Sequence, residues 1–310
     1  MDDVLVVGEA LVDIVLRGEE PPAEHPGGSP ANVALGLGRL GRRVSLLSRI
    51  GDDDRGRLLT EHLAASGVAL APGTLAGGRT STAVARLDDA GVATYAFDLD
   101  WQLPDGGGPA PARALHTGSI AAFLAPGGHA VLELVRRARG TCTVSYDPNA
   151  RPVLMGDPGA ARERVETFVA ASDVVKVSDE DLAWLVPGTD PVDVATRWLA
   201  LGPAVVVVTR GGDGATGLCT GGRVDVAAPA VRVVDTVGAG DAFMAGLLDA
   251  LSAADLLGVE RRDALHGIDP ARLEAATRRA TRVAALTCAR PGADPPTRAE
   301  LAAAHPDEAP

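Results

Sequence analysis

Four consecutive valines, Val205 to Val208, escape water together only in a strand covered on both faces, and in a parallel sheet helices provide that cover. The surrounding segments point the same way. Buried strands are expected at Val4 to Val7, Val44 to Ile50, Ala114 to Thr117, Thr141 to Tyr146 and Val174 to Val177. Helices are expected from Pro30 to Leu40, with Ser29 as N-cap, and at Arg57 to Ala65, Pro126 to Arg139 and Gly159 to Ala171. This βαβα order predicts an α/β fold, a three-layer αβα domain on a central, mostly parallel sheet. Two stretches break the alternation. Leu11 to Leu16 reads as an extra strand, and Thr80 to Leu87 with Val92 to Phe97 as a hairpin around a turn at Asp88 to Gly91. Residues 11–26 and 79–101 are therefore expected to form a small β lid over the carboxyl edge of the sheet. A Gly/Pro loop follows at Asp105 to Pro111. Further short strands fall within 215–234, then helices at Gly238 to Ala253 and Ala271 to Thr287, and the tail after Pro295 reads as loosely held.

The chain of 310 residues can bury a full core, and its motifs lie near opposite ends, which argues for a single domain over 1–310. Its 29 Lys and Arg against 41 Asp and Glu give a net charge of −12, which disfavours nucleic acid and anionic membranes as partners. The apolar run at Val4 to Val7 is too short for a signal peptide or membrane span, so a cytoplasmic location is expected. Cys142, Cys219 and Cys288 lack metal-ligand spacing and read as buried thiols.

Residues 235–248 carry the chemistry. Gly238, Ala239 and Gly240 form a turn of almost bare backbone running into an apolar helix, so its N–H groups and the helix dipole suit an anion. Asp241 follows immediately. A carboxylate repels phosphate, so it is either a helix cap or a base that accepts a proton from an attacking hydroxyl. Asn32 offers one acceptor and two donors, which suits adjacent hydroxyls, and Gly27 and Gly28 let backbone approach a ligand. Tyr95, Phe97 and Trp101 concentrate the scarce aromatics, either to face a sugar or base or to pack the lid and a dimer contact.

The stretch from Asp235 to Leu248 resembles the C-terminal signature of the ribokinase-like, or PfkB, sugar kinases, and Gly27 to Ala34 resembles their N-terminal signature. The resemblance implies a kinase fold with a lid, ATP and magnesium as cofactors, and possible potassium. It casts Asp241 as the base and Asp13, Gly28 and Asn32 as sugar-binding. Thr209, Gly211 and Gly214 match the family's nucleotide loop, with Lys176 either near phosphate or reaching for solvent at a strand end. Asp147-Pro148-Asn149-Ala150-Arg151 is similar to a fructokinase-type segment. In it Arg151 faces either phosphate or, as a surface residue, Asp147. Ser178 to Asp181 stands where the family has Asn-x-x-Glu, so Asp181 or Glu180 would order hydrated magnesium. Asp235, Val237, Thr287, Arg290 and Gly292 match positions around a monovalent cation.

The expectation is an ATP-dependent kinase acting on a primary hydroxyl of a small sugar, fructose first. Ketodeoxygluconate, ribose and nucleosides are the alternatives, and a catalytically silent sugar-binding regulator is the rival class. A homodimer through the lid would cover its exposed edges.

Overall fold

Val205 and Val207 enter one buried apolar cluster and Val206 and Val208 another, so the two faces of their strand are separately covered. The computed structural model describes residues 2–18, 20–87, 93–103 and 112–304. Its strands are β1 (Asp2–Val7), β2 (Leu11–Arg17), β3 (Ala23–Gly27), β4 (Val44–Leu47), β5 (Val68–Leu70), β6 (Thr82–Leu87), β7 (Ala93–Asp98), β8 (Ala112–Gly118), β9 (Thr143–Asp147), β10 (Val174–Ser178), β11 (Val205–Thr209), β12 (Ala215–Cys219) and β13 (Gly222–Val226). Its helices are α1 (Ser29–Arg39), α2 (Asp54–Ala65), α3 (Ser119–Phe123), α4 (Gly127–Ala138), α5 (Pro152–Met155), α6 (Pro158–Ala170), α7 (Asp179–Leu185), α8 (Pro191–Leu199), α9 (Ala239–Ala253), α10 (Arg262–His266), α11 (Pro270–Cys288) and α12 (Arg298–Ala304).

One sheet runs β13-β12-β11-β10-β9-β8-β1-β4-β5, parallel throughout except for β12 and β13. Helices α1, α2, α9 and α11 bury one face, and α4, α6, α7 and α8 the other. That is the three-layer arrangement the valine run requires. The chain leaves β1 toward β4 on one side and reaches β8 and its successors on the other, so the strand order reverses at β1. In such sheets ligands bind beyond the carboxyl ends at the reversal.

The second sheet, β3-β2-β6-β7, takes up the stretches that broke the alternation. Val12 and Ile14 on one face of β2 join the main core, whereas Leu11 on the other packs with Ala83, Phe97 and Ile120. Asp13 lies on that second face, directly across from His25 of β3.

Several expectations need correction. Ser29 is the first residue of α1 rather than its cap; Gly28 occupies the cap and makes no side-chain bond there. The tail after Pro295 is held as far as residue 304, because it forms α12, with Leu301 buried against Leu40, Ala242 and Val283; residues 305–310 lie outside the described residues. Trp101 is buried at 4% exposure and donates its indole N–H to the Ala121 carbonyl, so it offers no face to a ligand. Cys142 and Cys219 are buried as expected, but Cys288 is only half-buried. The turn expected at 88–91, the loop at 105–111 and the Tyr95 side chain lie outside the described residues. Among the described residues no helix is long and apolar enough to cross a membrane.

Candidate active site

Gly238 adopts a left-handed conformation, φ +74°, and a Cβ there would sit 2.6 Å from the Cβ of Ala293. Only glycine fits such a turn. The turn delivers Asp241 into the first turn of α9, where it is 6% exposed. Its carboxylate does not cap its own helix. Instead Ser29 Oγ donates to Oδ1 at 2.7 Å, Asn32 Nδ2 to Oδ2 at 2.9 Å and Asn149 Nδ2 to Oδ1 at 3.4 Å. Of the turn's amides, Ala239 N–H is already directed at the Thr236 carbonyl, 3.2 Å away.

The capping alternative for Asp241 is thus set aside by geometry. Ser29 and Asn149 are partners that the sequence reading missed: a serine before a proline looks like a cap, and only Arg151 was singled out in its segment. Gly28 lets the Gly27 to Ala34 segment lie against the backbone of Glu9 and Ala10. Its φ is +100°, and an added Cβ would lie 2.6 Å from the Glu9 carbonyl oxygen.

Asp13 and Glu9 line the β2 side. Burial pushes the Asp13 carboxyl up to about 6, against the opposing fields of Arg151 and His25 and with that of Asp241. Glu9, 4% exposed, accepts from the Ala121 N–H at 2.9 Å, and burial raises it to about 7 despite hydrogen bonds and Arg151. A lone acid between apolar β1 and β2 was a legible signal for Glu9. Arg151 does not pair with Asp147: its Nη1 donates to the Asn149 carbonyl and Oδ1 and to the Ala150 carbonyl. Asp147 pairs instead with Lys176, whose Nζ lies 2.8 Å from Oδ2. Lys176 is 3% exposed, so its head does not reach solvent at the strand end.

Asp181 Oδ1 accepts the Ala150 N–H at 3.0 Å, and Ser178 caps α7 by accepting the Asp181 N–H. Glu180 is exposed. Thr209 ends β11 beside Ser178, and Gly211 to Gly214 make a tight return into β12, closed by Arg210 N–H to the Gly214 carbonyl at 2.8 Å. Asp235 accepts N–H groups from Val237 and Gly292, which hold its carboxyl below the usual range. It ties the turn to the 287–292 loop, in which Arg290 N–H donates to the Thr287 carbonyl.

Glu9, Asp147, Asp181 and Thr209 end or follow β1, β9, β10 and β11 at the carboxyl edge of the main sheet, and Lys176 projects from the middle of β10. A motif model described as pfkB family carbohydrate kinase matches residues 1–300. The chain belongs to this family. It is 38% identical over 267 residues to a fructokinase of Rhizobium leguminosarum bv. trifolii, covering 82% of this chain and 81% of that one. It is 39% identical over 261 residues to a fructokinase of Klebsiella pneumoniae, covering 81% and 84%. Among solved structures it resembles a double mutant of the Vibrio cholerae O395 fructokinase bound to fructose, ADP and a potassium ion. The TM-score there is 0.80, with 30% identity over 98% of this chain and 99% of the other. Aminoimidazole riboside kinase from Salmonella enterica, with its riboside and an ATP analogue, aligns with a TM-score of 0.79 and 30% identity over 97% and 98%.

Proposed function

We propose that this chain is an ATP-dependent fructokinase that phosphorylates a primary hydroxyl of fructose. The observation that carries the reading is Asp241: a carboxylate fixed on both oxygens beside a glycine turn at a helix N-terminus. The sugar hydroxyl attacks the terminal phosphorus, its proton passes to Asp241, and ADP leaves. The Gly238, Gly240 and Asp241 amides and the dipole of α9 stabilise charge on the transferred group. Asp13, Asn32 and the Gly28 backbone bind sugar hydroxyls, and Arg151 completes that wall. Thr209, Gly211 and Gly214 border the nucleotide.

Apart from Arg151, whose Nη1 is taken up by Asn149 and Ala150, this wall offers carboxylate and amide groups, which favours a neutral polyol over an acidic sugar. The burial of Trp101 removes one face a nucleoside base would use. Both relatives named fructokinase support the same substrate. Among the described residues no cluster of three metal-ligating side chains occurs. This suits magnesium, which binds mainly through nucleotide phosphates and water, with Asp181 as its protein contact. Bound magnesium would neutralise phosphate charge. Potassium would lie among the Asp235, Val237, Thr287, Arg290 and Gly292 positions. A dimer would form through the outer edges of β3 and β7, and the protein would work in the cytoplasm.

Release of ADP with fructose, ribose, ketodeoxygluconate and nucleosides tests the reading. Fructose should give the highest kcat/KM; a better rival sugar transfers the assignment, and binding without turnover indicates a silent sensor. The Asp13 carboxyl adds a pH signature. Above about 6 it is ionised and accepts from two hydroxyls; below that it is protonated and loses charge and acceptor capacity. KM for the sugar should therefore rise about tenfold per unit as pH falls below 6, while KM for ATP changes less. In an Asp13→Asn variant that slope should vanish, and its persistence would assign the titration elsewhere.

A further inference from the structure

The chain's 29 basic side chains include one lysine, Lys176; every other one is an arginine. A sequence that uses arginine everywhere else has kept a compact ammonium at one buried point, where a planar guanidinium is not interchangeable with it. The surroundings give the reason. A Cβ built on Gly240 would lie 2.9 Å from Lys176 Nζ, so the ammonium presses directly against the backbone of the anion turn. Asp147 fixes it from β9. Asp181 on α7 and Asp241 on α9 also face it; burial works against its charge, but these three carboxylates outweigh burial and keep it protonated. His116 on β8, which burial and the Lys176 field hold down at about 3, stays neutral and adds no charge.

Three carboxylates therefore meet a single cation around the place where a triphosphate must enter. We propose that Lys176 is a positioning residue for phosphoryl transfer, acting from behind the turn: it fixes the Gly240 backbone and supplies the positive charge that lets a terminal phosphate approach Asp147, Asp181 and Asp241. This rests on the kinase reading above and adds to it a buried Lys176–Asp147 pair.

Loss of one partner alone strands a buried charge, so the test uses the neutral pair. K176M should unfold at lower denaturant, because Asp147 is left unpaired. K176M/D147N should recover most of that midpoint, yet show a kcat about 10- to 100-fold lower and a raised KM for ATP, with KM for fructose within about twofold. A pair with a purely structural role would give a stable double variant with wild-type kcat, and that result overturns the proposal. A second readout needs no sugar. Because Lys176 is the only lysine, [13C]lysine labelling gives one set of side-chain signals. A non-hydrolysable ATP analogue should shift them clearly more than ADP does. Equal shifts, or none, also overturn the proposal, whereas absence of wild-type turnover with every sugar overturns only the kinase reading.

Discussion

Replacing Asp241 with asparagine is expected to lower turnover by about 10²- to 10⁴-fold, some 3–5 kcal/mol of barrier, while ATP binds as before. Asparagine has nearly the same shape and still accepts from Ser29 Oγ; an amide flip at Asn32 would accept its new N–H₂ group. The three hydrogen bonds that hold residue 241 can thus be re-formed, since the same amide oxygen also accepts from Asn149, and the thermal midpoint should move little. What cannot be re-formed is the capacity to take a proton. The loss stays below that of a full nucleophile deletion, because a loose phosphoryl-transfer transition state needs positioning more than it needs the base. Initial rates of ADP formation with fructose, together with calorimetric ATP binding, separate the two effects. Turnover within threefold of wild type would mean that Asp241 only joins α9 to α1, and the proposed chemistry would lose its base.

The parts of this site legible in the sequence are those fixed by local geometry. The valines of β11 declare two-sided burial, and Gly238 to Asp241 declare an anion turn because bare backbone at a helix start has few other uses. Proline after a capping aspartate marks three helix starts, Asp157, Asp190 and Asp269, each accepting an N–H of its own first turn. Two of these helices were expected, within a residue or so of their starts, and α8 was not. The α12 helix was legible too, since Thr297 and Glu300 form a capping box: Thr297 N–H donates to Glu300 at 2.7 Å, and Glu300 N–H returns to Thr297 Oγ1 at 3.2 Å. The two prolines just before it suggested a loose end instead. Strand β3 was hidden by Pro26, which an edge strand tolerates. The partners of Asp241 were not legible in the same way. Ser29 reaches a residue 212 positions away, and only the assembled fold reveals that its hydroxyl faces the base instead of capping its own helix.

Asp249→Asn should be the most destabilising conservative change outside the site, costing about 3–5 kcal/mol. Asp249 has no exposed surface. Arg42 Nε donates to Oδ1 at 2.6 Å, Arg298 Nη2 to the same oxygen at 3.1 Å and Arg279 Nε to Oδ2 at 2.6 Å. One carboxylate on α9 thereby holds the turn after α1, the middle of α11 and the start of α12. Asparagine keeps the volume but removes the charge that three guanidiniums share, and its N–H₂ group would point at one of them. Arg42 and Arg279 have side-chain exposures of 16% and 30%, so rehydration returns part of the loss and favours the lower end of the range. The exposed pair Arg136–Glu133 on α4 is the control, since surface pairs contribute about 0–1 kcal/mol. Urea unfolding should place Asp249→Asn well below both wild type and Glu133→Gln, with kcat unchanged at temperatures where it remains folded. A midpoint equal to that of Glu133→Gln would show that the arginines are satisfied without Asp249. The hold on α12 would then rest on Leu301, on the Arg298 bond to the Leu40 carbonyl and on the Arg290–Glu300 pair, and Leu301→Ala would become the change that most loosens the C-terminal helix.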